Sequence, residues 1–104
     1  MRYKRPAVAT TPAVSFESFN RAGINFVFTE LEVAITFCRE SLFARDSFKA
    51  GRAMENARRA FHVALKRRKE FVFNEGEKKD LAERAAQLKT LIREVARRKI
   101  PEKE

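Results

Sequence analysis

The sequence predicts an all-α fold, a three-helix bundle built from an antiparallel helical hairpin plus a third helix. Proline is confined to Pro6, Pro12 and Pro101, so nothing between Val14 and Ile100 would break a helix outright. Over the same stretch apolar residues recur at spacings of three and four, the period of one helix face. With 104 residues and a 44% apolar composition, there is room for a single hydrophobic core. The expected domain is residues 15–100, preceded by a disordered basic arm at 1–14 and followed by a tail at 101–104.

The first helix is expected from about Ser15 to Ala44. Its seam is Ile24, Phe28, Leu31, Ile35, Cys38 and Leu42, spaced 4, 3, 4, 3 and 4. At about 100° per residue, a second apolar line of Phe19, Phe26, Val33, Phe37 and Ala44 falls roughly opposite that seam. Asn25, Thr29, Glu32, Thr36 and Glu40 hold one flank between the two. A helix apolar on two sides is ordinarily covered on two sides, which would make this helix central. The other reading is that the Phe19/Phe26/Val33/Phe37 line meets another molecule.

The link Ala44-Arg45-Asp46-Ser47 is short enough to force an antiparallel hairpin, with Asp46 or Ser47 capping the next helix. That second helix should run to about Glu70. Ala50, Met54, Ala57, Phe61, Ala64 and Leu65 form its inner line, with Ala53 and Ala60 beside it. The alanines allow two backbones to approach closely. Gly51 either lies inside this helix, costing up to ~1 kcal/mol relative to alanine, or marks a later start.

Phe71-Val72-Phe73 should close the core at the far end of the hairpin. Asn74, with Glu77 three residues on, reads as the cap of a third helix. The third seam is Leu81, Ala85, Leu88, Ile92 and Val95. Glu75/Lys79, Asp80/Arg84 and Glu94/Arg98 are i, i+4 pairs in the favourable order.

The run Ala57-x3-Phe61-x2-Ala64 resembles the second helix of a tetratricopeptide-type hairpin, in which small residues let paired helices nest around an aromatic. The order of three helices ending in Leu81-x3-Ala85-x2-Leu88-Lys89 is similar to the microtubule-interacting-and-transport-type bundle. The resemblance covers about residues 31–95 as a pattern of residue sizes. The chain departs from the repeat family in lacking its glycine and tyrosine signature before the turn, and in having Lys69 where a proline is expected. Both families bind peptides or protein partners, so the resemblance implies a binding role and assigns no binding residue.

Catalytic chemistry finds little support. His62 is the only histidine and falls on the outer side of the second helix among Arg58, Arg59 and Lys66, with no spacing that gathers further metal ligands. Cys38 lies on an inner seam with no histidine on its face, the position of a buried structural thiol, and a lone cysteine forms no internal disulfide. Gly23, Gly51 and Gly76 are isolated, so no phosphate loop exists; Glu30 and Glu32 point in different directions and make no acid pair. The expectation is a non-enzymatic protein with no cofactor, no metal and no small-molecule ligand. The opening MRYKRPAVATTPAV lacks the continuous apolar run of a signal peptide, and no segment reaches the ~18 apolar residues of a membrane span. A soluble, cytoplasmic protein is expected.

Charge is uneven. The net +9 divides into +3 over residues 1–14, −2 over 15–46, +6 over 47–73 and +2 over 74–104. The arm carries Arg2, Lys4 and Arg5, and Arg97-Arg98-Lys99 forms a small cluster near the end. The second helix sets Arg52, Arg59 and Lys66 in one row, with Arg58, His62 and Lys69 alongside, and Lys66-Arg67-Arg68-Lys69 as a compact group. Such a face is an electrostatic footprint for nucleic acid or an acidic partner, or else a solvated surface. No aromatics interleave it for base stacking. Two candidate surfaces follow. The first is a protein-binding or self-associating line of Phe19, Phe26, Val33 and Phe37. The alternative is a nucleic-acid-binding patch of Arg52, Arg58, Arg59, Lys66, Arg67 and Lys69.

Overall fold

The computed structural model of the chain describes residues 12–103, with side-chain environments for 16–98. Its elements are α1 (Pro12–Phe43), α2 (Ser47–Arg67), a 3-10 turn (Arg68–Glu70) and α3 (Glu75–Lys103). No strand occurs among the described residues, and the fold is the expected all-α three-helix bundle.

α1 begins at Pro12, a residue whose fixed φ and missing N–H suit the first helical position. The expected arm therefore gives up residues 12–14 to the helix, while residues 1–11, with Arg2, Lys4 and Arg5, lie outside the described residues. At the other end α3 carries through Pro101 to Lys103, so the expected tail is helical up to that point. α2 starts at Ser47 with Asp46 as its cap, the carboxylate Oδ1 accepting from the Phe48 amide at 2.9 Å. Gly51 thus lies inside α2, not before it. The last turn tightens to a 3-10 geometry at Arg68–Glu70, and Phe71 leaves it in an extended conformation.

α3 opens with a reciprocal cap. Asn74 Oδ1 accepts from the Glu77 amide at 2.7 Å, and Glu77 Oε1 accepts from the Asn74 amide at 3.0 Å. Of the expected helical ion pairs, Asp80–Arg84 forms at 3.2 Å. Glu75 reaches Lys78, three residues on, at 3.8 Å, in place of Lys79.

The core is one cluster. α1 supplies Ile24, Val27, Leu31, Ala34, Ile35 and Cys38; α2 supplies Met54, Ala57, Ala60 and Ala64; α3 supplies Leu81, Leu88 and Val95, with Phe71 and Phe73 from the connection. α1 packs extensively along α2, whose buried face is Met54 among alanines, and more lightly against α3. Ser41, buried at the turn end, donates from Oγ to the Ala50 carbonyl at 2.8 Å and ties α1 to α2. α3 is held by Arg21 Nη1 on Glu77 Oε2 at 2.8 Å, by Arg84 on Glu32, and by the Arg84 guanidinium 5.6 Å from the Phe28 ring.

α1 is central, as expected, but it is not covered on two sides. Its buried residues from Ile24 to Ser41 occupy a single sector about 120° wide, and both α2 and α3 pack on α1. The seam turns towards α2, which buries Val27 and Ala34 and leaves Phe28 and Leu42 at its edge. The phenyl line lies outside that sector, with Phe19 and Phe26 exposed and Val33 and Phe37 partly buried at its rim.

Candidate interaction surfaces

The phenyl line survives as a surface feature with graded exposure. Phe19 is 57% exposed and leans on Phe71, ring centroids 5.4 Å apart at 52°. Phe26 is 38% exposed, with the Arg67 guanidinium 5.5 Å from its centroid. Val33 and Phe37 are half-buried against the core's rim. Beside them a shallow concavity is lined by Thr29, Glu32, Val33, Thr36, Phe37 and Glu40. The helical spacing brings the four expected residues to one side of α1. What the sequence could not show is that Phe71 and Arg67, from the connection and from α2, brace its first half.

The basic residues divide. Arg52, Arg58, Arg59, Lys66 and Lys69 are exposed, as is His62. Arg67 is not part of that ridge: it is half-buried, turned to Phe26, and its Nε lies 3.2 Å from Glu70 Oε1. The position of Arg67 on the α1-facing flank of α2 explains the separation. Arg52 lies 5.7 Å over the ring of Phe48, and Arg59 donates to Asn56 Oδ1 at 3.4 Å. Phe48, 68% exposed at the start of α2, sits outside every seam, so residue spacing carries no signal for it. Arg68, part of the Lys66–Lys69 cluster in sequence, joins Lys78 around a concavity floored by Phe71, Val72, Phe73 and Leu81.

Cys38 is fully buried, and burial pushes its thiol above the usual range, with the nearby positive charge of Arg58 opposing the shift more weakly. Such a thiol is a poor nucleophile. Among the described residues no group of three or more His, Cys, Asp or Glu converges on a point where a metal ion would sit, and no helix is long and apolar enough to cross a membrane. Compared with protein-family models, with curated proteins and with solved structures, the chain has no match. Any functional reading therefore rests on the two surfaces themselves.

Proposed function

We propose that this chain is a non-enzymatic protein-interaction module whose docking surface is the phenyl line of α1. The observation that carries the reading is the exposure of Phe19 and Phe26 on a helix whose buried sector lies elsewhere. Phe19, Phe26 and Val33 are seven residues apart, the repeat of a seam between two helices. The occupant such a line fits is another helix, and a second copy of this chain supplies one. The polar flank of Thr29, Thr36 and Glu40 gives the apolar line a wettable rim, as interfaces have.

Light scattering over a range of protein concentrations tests this. The parent is expected to show a mass that rises towards a dimer, and a Phe26→Glu, Phe37→Glu variant, checked for helix content by circular dichroism, is expected to stay monomeric. A parent that remains monomeric at every concentration, with the same mass as the variant, contradicts the reading.

A further inference from the structure

We infer that the outward ridge of α2 and its 3-10 turn binds the phosphate backbone of duplex nucleic acid. The site lies on a different helix from the phenyl line and stands independently of it. Between Arg52 and Lys69 the exposed residues are Arg52, Glu55, Arg58, Arg59, His62, Lys66, Arg68 and Lys69. Every one is charged apart from His62, and only one is acidic. Glu70, the other acid of this segment, is occupied by Arg67. Among the described residues, Arg52, Arg58, Arg59, Lys66 and Lys69 form no ion pair. α3, by contrast, places acids beside its cations and pairs Lys78 and Arg84. Like charges three and four residues apart on one helix face repel one another, so the fold gains nothing from gathering them there without acids.

The chemistry of the ridge selects its ligand. A protein interface has an apolar centre and is depleted in lysine, and this ridge exposes no apolar side chain from Arg52 to Lys69. Single-stranded nucleic acid is gripped by a series of stacked aromatics, and the same stretch exposes a single ring, the imidazole of His62, and no phenyl group. Phe48, just before it, lies beneath Arg52. What remains is a rigid row of guanidinium and ammonium groups. Arg52, Arg59 and Lys66 stand roughly 10 Å apart, and the ridge is about 25 Å long. A double helix offers a dense, regular array of phosphates to such a row, recognised by charge with no base readout.

The test is fluorescence anisotropy of a labelled short duplex DNA titrated with the full chain between about 50 and 200 mM salt. Five or so phosphate contacts predict an affinity that falls by roughly two to three orders of magnitude over that range. The Arg52→Gln, Arg59→Gln, Lys66→Gln variant should reduce the slope of log affinity against log salt by about 3, and each single change by about 1. A Lys79→Gln, Arg93→Gln, Arg97→Gln variant removes the same charge from exposed positions of α3 and should bind nearly as the parent does. Equal weakening by the two triple variants overturns the site. So does failure to bind duplex at the lowest salt, or binding to phosphatidylserine vesicles by a chain that ignores the duplex. Because the single variants change exposed residues, they keep the comparison valid if a triple variant folds poorly.

Discussion

The side-chain amide of Asn20 holds Val72 by both of its backbone polar groups. Asn20 Nδ2 donates to the Val72 carbonyl at 2.9 Å, and the Val72 amide donates to Asn20 Oδ1 at 2.7 Å. The pair is 52 residues apart in sequence and fixes the α2–α3 connection against the first third of α1. Asn20→Ala should cost about 1–2 kcal/mol, since water reaches the freed groups and replaces part of what is lost. Urea unfolding of the two proteins reads this directly, with an unchanged midpoint as the contrary result.

Gly23 and Gly51 both lie within helices, and alanine should act on them with opposite sign. A Cβ at Gly23 would collide with the ring of Phe71, a buried core residue that would have to shift. Gly23→Ala should destabilise by about 1–3 kcal/mol, the range for overpacking. A Cβ at Gly51 meets nothing within 4 Å, so Gly51→Ala should stabilise by up to about 1 kcal/mol through helix propensity alone. Thermal unfolding of the two variants beside the parent separates these outcomes.

The Glu77 carboxyl is held below its ordinary value of 4.5, first by the Asn74 amide and then by Arg21, both of which favour the charged form. A carboxyl depressed in the folded state adds stability above its unfolded value, and that stability disappears as pH falls through the folded value. Glu77→Gln should therefore flatten part of the stability loss on acidification from about pH 4.5 downwards. The folded carboxyl should titrate below 4.5 when followed by carbon NMR.

Cys38 should be inert in the folded chain at neutral pH, because burial both blocks access and raises its ionisation. Labelling by a maleimide should be slow in buffer and become fast in denaturant. Rapid labelling of the native protein would mean that α1 opens at its centre.

Much of the fold is legible in the sequence because it rests on local periodicity. Leu31, Ile35 and Cys38 of the first seam, and Leu81, Leu88 and Val95 of the third, are buried where their spacing puts them. The Asn74–Glu77 cap depends on two residues three apart and is equally readable. The rotation of the α1 seam is not, since Val27 and Ala34, off the spaced line, are fully buried while Phe28 and Leu42, on it, are only partly so. Nor are the grip of Asn20 on Val72, the Gly23–Phe71 approach, or the Arg84–Glu32 pair, each of which joins segments about fifty residues apart. The candidate surfaces show the same division: helical spacing aligns Phe19, Phe26, Val33 and Phe37, whereas tertiary packing decides that the first two stay exposed, that the last two are half-buried, and that Arg67 belongs beside them.

The most direct measurement of the docking role of α1 places a photo-crosslinking benzoylphenylalanine at Val33, and separately at exposed Lys79 on α3. Irradiation should yield a covalent dimer from position 33 and none from position 79. No dimer from position 33, or equal yields from both positions, would contradict the phenyl line as a helix-binding surface.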